Sequence, residues 1–289
     1  MMTETRQLIT TKDGEKIAVW KIAKSAKEDT NATNEQTVKA QNIFLTHGTF
    51  SDKKTCLRIA EYLVALGHHC YIMEWRGHGD SSKPKENFNF ETVATYDYEA
   101  TFRYLFVELK LDSLHCVTHS GGGVGLTMFL IQNPSYIDKV NSISMFACQA
   151  YGAALNSKSY AKILAVKLFT QLLGHIPAKK LKLGSCDESY HTMRQWFDWN
   201  LKRNFTSSFI KHGALGEALT DTELLENNDG LSGSDGLSNF DGNFDGNYLD
   251  YRQHMPMITT PIYSISAKGD KIISPARGSQ LFLDDFHNP

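Results

Sequence analysis

In the stretch LHCVTHSGGGVGLTMFL, Leu114 to Leu130, an apolar run with strand character passes into an apolar run with helical character. Ser120 stands at the junction, between His119 and three glycines. A serine on a sharp strand-to-helix turn has its hydroxyl pushed outward, and the first amides of the helix point past it. That arrangement suits nucleophilic attack on a carbonyl followed by stabilisation of an oxyanion. The turn needs small residues two positions before and two after the serine. Gly122 meets the second need, and Thr118 stands where a glycine is usual, yet is small. The competing reading is a glycine-rich connection without chemistry.

Three further stretches carry chemistry-bearing types. LTHGTF holds His47 and Gly48, MEWRGHGDSS holds Arg76 to Gly79 and Ser81, and SAKGDKIISP holds Asp270. Each follows an apolar run read as a strand. The carboxyl ends of strands are the edge at which open α/β sheets place their sites.

The elements that would position these residues follow from periodicity. RQLITTKDGEKIAVWKI alternates apolar and polar residues around Asp13-Gly14 and predicts a hairpin, followed by a loose polar loop from Lys24 to Gln41. Strands are then predicted at NIFLTHG, HHCYIMEW, SLHCVTH, VNSISMFAC and PIYSISA. The intervening segments have helical spacing: one after Ser51 or Asp52 as N-cap, one over ETVATYDYEATFRYLFVELK, and one over GGVGLTMFLIQN that Pro134 stops. Such alternation predicts a parallel sheet covered on both faces. It breaks after Cys148, and an inserted cap is expected over 149–258. There Tyr160, Leu164, Leu168 and Leu172 form one helical stripe, and Tyr190, Met193, Trp196 and Phe197 another, both expected to pack inward. Leu168, Trp196 and Trp199 suggest an apolar pocket. Residues 228–250 repeat Asp-Gly; Asp241 to Gly246 matches half of a calcium loop, but Arg252 fills the position that needs a bidentate Glu, so a turn-forming loop is preferred.

A net charge of −2 gives no reason to expect nucleic acid or an anionic membrane surface as the main partner. No segment has the length of a transmembrane span, and the N-terminus lacks a signal pattern, so a cytoplasmic protein is expected. The five cysteines are odd in number, never C-x-x-C, and read as reduced thiols.

At these motifs the chain resembles the α/β-hydrolase superfamily over nearly its whole length, closest to the serine esterase, lipase and lysophospholipase-like branch. The resemblance implies an α/β-hydrolase fold, a mostly parallel sheet flanked by helices with a helical cap between core strands 6 and 7. The core would comprise 1–148 and 259–289. Ser120 would be the nucleophile, Asp270 the triad acid, and Thr49 with Gly121 the oxyanion hole. His47 would brace its loop, and RGHGDS would be a structural turn. The substrate would be a small-molecule ester or lipid-like compound, with no cofactor, metal, nucleic acid or transmembrane segment involved. The triad order places a histidine after Asp270, where His287 is the one candidate. The chain departs from the family here, because the usual last strand does not follow. Three readings stay open: a fragment lacking that strand and its histidine, His287 as base, or a non-catalytic relative. Acyl transfer or thioester cleavage on the same serine is a further alternative.

Overall fold

The computed structural model describes residues 2–25, 39–211 and 248–287. Two strands, β1 (Met2–Thr10) and β2 (Lys16–Lys24), form the expected antiparallel hairpin. Its turn passes through Gly14 at φ +88°, a backbone that side chains resist. Then come β3 (Asn42–Thr46), β4 (His69–Glu74), β5 (Leu114–His119) and β6 (Val140–Phe146). Four short strands, β7 (His175–Ile176), β8 (Glu188–Ser189), β9 (Thr206–Lys211) and β10 (Tyr248–Asp250), precede β11 (Ile262–Ile265).

Seven strands make one sheet in the order β1-β2-β4-β3-β5-β6-β11. The hairpin joins β4 antiparallel, and every pair from β4 to β11 is parallel. Strand alternation divides the core into two apolar layers. Ile43, Leu45, Cys70 and Ile72 meet Cys56, Ala60 and Val64 of helix α1 (Lys54–Ala65). Phe44, Tyr71 and Met73 belong to the larger cluster shared by helix α2 (residues 90–108) and helix α3 (Gly121–Gln132). Helix α2 opens on a capping box between Asn89 and Thr92 and contains π-helical stretches at Val93–Tyr98 and Tyr104–Glu108. Helix α3 is apolar on every face and correspondingly buried throughout, save its last residue.

β6 and β11 are neighbours in the sheet, yet the chain between them leaves it. That insertion carries helix α4 (Ser157–Leu173), helix α5 (Tyr190–Lys202) and the paired short strands β7/β8 and β9/β10. Tyr190, Met193, Trp196 and Phe197 are buried, as their spacing predicts. The stripe on α4 is different. Tyr160, Leu164, Leu168 and Leu172 are all exposed, because α4 packs through the adjacent stripe of Ile163 and Thr170, and Lys167 reaches Asp198 of α5 at 2.5 Å. Spacing identified the apolar line but not which side faced the protein. Most of the Lys24 to Gln41 loop and of the Asp-Gly repeat lies outside the described residues; Arg252, the misfit of the calcium pattern, binds Asp285 at 2.7 Å.

After β11 the chain turns through Asp270 into helix α6 (Ala276–Asp284), which docks on the segment following β6. The Gln149 side chain donates to the Ile273 carbonyl at 2.6 Å and accepts from the Gly152 N–H at 2.6 Å. The Tyr151 hydroxyl donates to Asp285. Between them Gly152 and Gly278 touch backbone to backbone, and a Cβ on either would strike the other. Gly278→Ala should therefore lower the urea unfolding midpoint, with a loss of about 1–3 kcal/mol typical of overpacking against atoms that cannot yield. An unchanged midpoint would mean that α6 shifts freely on its bed.

Candidate active site

Ser120 leaves β5 at φ +51° and ψ −123°, a conformation that L-residues rarely adopt, and is the N-cap of α3. Strain of this kind costs roughly 1–3 kcal/mol and persists only where the surroundings enforce it. Here its N–H donates to the Phe146 carbonyl at 2.8 Å, tying the turn to the end of β6. Close packing completes the constraint. A Cβ on Gly122 would lie 2.6 Å from the His47 carbonyl oxygen, and one on Gly123 would lie 2.5 Å from Cys148 Sγ and 3.0 Å from Thr118 Oγ1. Thr118 thus fits in place of glycine because Gly123 leaves it room. The helix start supplies the donors, since the first amides of α3 have no partner within the helix.

The loop after β3 lies directly on this turn. A Cβ on Gly48 would stand 2.8 Å from the Gly121 nitrogen and 2.9 Å from Ser120 Cβ. Ser120, Gly121 and the Gly48-Thr49 loop are therefore brought together. His47 holds that loop: its Nδ1–H donates to the Gly48 carbonyl at 2.7 Å, and Nε2 accepts from the Trp75 N–H at 3.3 Å. Burial, reinforced by His78, pulls its pKa down to about 3, so it stays neutral. Beside Gly121 stand aromatic rings. Its Cβ would lie 2.6 Å from Phe90 Cε1, and Phe90 packs on Trp75 and Trp199 at centroid distances of 5.8 and 5.7 Å. Trp196 and Trp199 are buried, whereas Leu168 faces outward, so the three do not line one pocket.

The Arg76 turn is anchored by charge. Its backbone N–H and Nε donate to Asp97 at 2.9 and 2.7 Å, and its terminal nitrogens donate to Asp13 at 2.6 and 3.1 Å. His78, within the same turn, places Nδ1 3.0 Å from the Arg76 carbonyl and Nε2 3.0 Å from Glu188 in the insertion. Both neighbours can accept, so a doubly protonated ring would donate to each of them. Burial alone would lower its pKa, but the Glu188 carboxylate outweighs it and the net shift is upward. His119, next to Ser120, is lowered by burial, and its Nδ1 is buried without a partner among the described residues.

Asp270 is partly buried and spends its carboxylate on its own turn. Oδ1 accepts from the Ile272 and Ile273 amides at 2.9 and 3.0 Å, and Oδ2 from the Ser274 amide at 2.9 Å. His287 is exposed just beyond α6, with its N–H on the Asp284 carbonyl at 3.1 Å. No hydrogen bond among the described residues joins either side chain to Ser120, or the two to each other.

Sequence reasoning missed the buried carboxylates. Glu91, at the start of α2, accepts from Ser207, from the Ser208 N–H at 2.7 Å and from Tyr251 at 2.6 Å, so core and insertion meet on it. Burial raises its pKa against these bonds. Glu74 accepts from the Lys53 N–H at 2.9 Å, Trp20 Nε1 at 2.8 Å and the Asp80 N–H at 3.0 Å. Partners so far apart in the chain leave no local signal. Four cysteines are buried and Cys186 is half-buried, all as free thiols, and burial pushes that of Cys148 up to about 12. Among the described residues no group of His, Cys, Asp and Glu is placed to hold a metal ion, and no helix is long and apolar enough to cross a membrane.

A family model described as alpha/beta hydrolase fold matches residues 41–286. No curated protein matches the sequence significantly. Solved structures with the same architecture include an esterase from Exiguobacterium antarcticum, 15% identical with a TM-score of 0.55, over 97% of this chain and 87% of that one. A hydrolase from Pseudomonas aeruginosa is 14% identical with a TM-score of 0.54, over 97% and 86%. A bacterial membrane phospholipase A is 16% identical with a TM-score of 0.54, over 99% and 76%.

The His78–Glu188 pair carries a pH signature. A histidine raised above its ordinary value of 6.5 stabilises the fold fully below that pH, and the contribution is lost as pH rises through the higher folded value. In urea titrations, the stability gap between wild type and His78→Gln should be widest near about pH 6 and narrow as the solution becomes alkaline. A gap independent of pH would show that the pair is not ionised.

Proposed function

The chain belongs to the alpha/beta hydrolase fold family, and from that premise we propose that it is a serine hydrolase that cleaves a carboxylic ester bearing an apolar group. The observation that carries this reading is the backbone of Ser120 at φ +51° on the strand-to-helix junction, with Gly48 packed against the Gly121 amide. Remote likeness to esterases adds the fold and nothing finer. In the scheme, a base takes the hydroxyl proton while Ser120 Oγ bonds to the ester carbon. Negative charge collects on the carbonyl oxygen, facing the Gly121 and Thr49 amides. The carbonyl then re-forms, the alcohol leaves with the proton returned by the base, and water releases the acid from the acyl-enzyme. The Phe90, Trp75 and Trp199 rings supply an apolar wall for the organic group, with the insertion as a cap above it. No cofactor or metal enters the scheme.

His287 is the histidine this reading assigns as base, although no hydrogen bond among the described residues joins it to Ser120 or to Asp270. His47 is unsuitable because both ring nitrogens are engaged and its pKa of about 3 leaves it a weak proton acceptor. His78 is unsuitable because both ring nitrogens are engaged, one with the Arg76 carbonyl and one with Glu188. A second reading follows from the Asp270 carboxylate, which is filled by three backbone amides: the fold binds an ester without turning it over.

A fluorophosphonate probe separates the two, because only an activated serine reacts. Mass spectrometry should place the adduct on Ser120, and Ser120→Ala should abolish it and lower ester hydrolysis at least about 10³-fold. Gly48→Ala, which crowds the oxyanion amides, should lower kcat about 10²-fold with the fold intact. His287→Ala should abolish labelling. Labelling that survives His287→Ala would remove that residue as the base, and an unlabelled wild type would favour the binding reading.

A further inference from the structure

On the outer side of the insertion, α4 inverts the usual polarity of a surface helix. It packs through Ile163 and Thr170, and turns Leu164, Leu168, Phe169 and Leu172 to the outside, with Leu172 87% exposed. Helices that face water carry charge on that side. Residues four apart stack along one helix face, so Leu164, Leu168 and Leu172 form a continuous ridge with Phe169 beside it. The loop that follows repeats the pattern, with Leu181 and Leu183 exposed on either side of Lys182. Contiguous apolar surface of this kind marks a docking site.

Charge identifies what docks. Residues 157–186 contain six lysines and neither Asp nor Glu, although the whole chain carries −2. Lys158, Lys162, Lys179, Lys180 and Lys182 are exposed and form no ion pair among the described residues. Leucine and phenylalanine side chains that can enter an acyl layer, fringed by lysines that can meet phosphate headgroups, are the parts of a helix that lies flat on a bilayer. A second copy of the same face would instead bring two lysine clusters together, and like charges oppose that contact. We propose that α4 and the 177–186 loop dock this protein on an anionic phospholipid surface. The near-neutral total charge of the sequence concealed this segregation.

The docked face also adjoins the candidate site. Gly184 sits on Phe50, the Cys186 N–H donates to the Phe50 carbonyl at 3.0 Å, and Phe50 follows Thr49. Docking itself needs no chemistry, so it goes beyond the hydrolase reading, and Ser120→Ala should bind vesicles like wild type.

The test is sedimentation of the full chain with vesicles at low salt. Mixed phosphatidylglycerol and phosphatidylcholine vesicles should bind it, and pure phosphatidylcholine should bind at least about tenfold more weakly. Lys179→Glu/Lys180→Glu/Lys182→Glu should reduce partitioning at least about tenfold, and Phe169→Ser/Leu172→Ser comparably, with thermal midpoints retained as evidence of folding. Equal binding to both vesicles, or binding untouched by either variant, would overturn the proposal. A dimer in light scattering that Phe169→Ser/Leu172→Ser converts to monomer would overturn it too and assign the face to a second copy.

Discussion

The backbone of Ser120, at φ +51° and ψ −123°, costs a residue with a side chain roughly 1–3 kcal/mol and persists because its surroundings enforce it. At Ser120 that condition explains features that otherwise look unrelated. Gly48, Gly122 and Gly123 each face atoms that would lie within about 3 Å of a Cβ, so backbone and sulfur close in on the turn from three sides. The Ser120 N–H is spent on the end of β6, which fixes the turn to the sheet. His47 then completes the enclosure by bridging Gly48 and Trp75 in a neutral state that burial imposes. An aromatic layer of Trp75 and Phe90 closes over Gly121.

The insertion is held to this centre by polar groups rather than by a continuous apolar seam alone. Glu91 and the His78–Glu188 pair both join core to insertion with almost no exposure. Buried charges of this kind add little net stability, but they punish misplacement, because removing one partner strands the other at a cost of about 3–5 kcal/mol. They therefore specify where the insertion sits over the turn more than how firmly it adheres. Asp97 acts similarly on Arg76, holding the turn that carries His78.

Much of this was legible in the chain and some was not, for reasons that differ by residue. The sheet was readable because its strands are short, largely apolar runs bounded by turns, with β3 and β4 buried almost throughout. The Ser120 turn was readable because small residues at fixed offsets are a local requirement. Glu91 was not, since its partners Ser207, Ser208 and Tyr251 lie more than a hundred residues downstream. The α4 stripe was misjudged for another reason. Periodicity reports that apolar residues share a face but not that the protein interior is what they meet, and on α4 a shorter stripe with a lysine in it made the contact.

The loop from Gly48 to Phe50 is packed between the strained turn and the insertion. Below it, Gly48 rests on Ser120 and Gly121; above it, Gly184 rests on Phe50 and Cys186 bonds to the same residue. Three consecutive residues, Gly48 to Phe50, thus link the strained turn to the 184–186 segment of the insertion. Phe50 itself has φ +63°, so this link is under backbone strain as well. Close-packed contacts transmit displacement rather than absorb it. Phe50 also packs against the larger apolar cluster, so the 184–186 segment meets the core through the residue that follows Thr49.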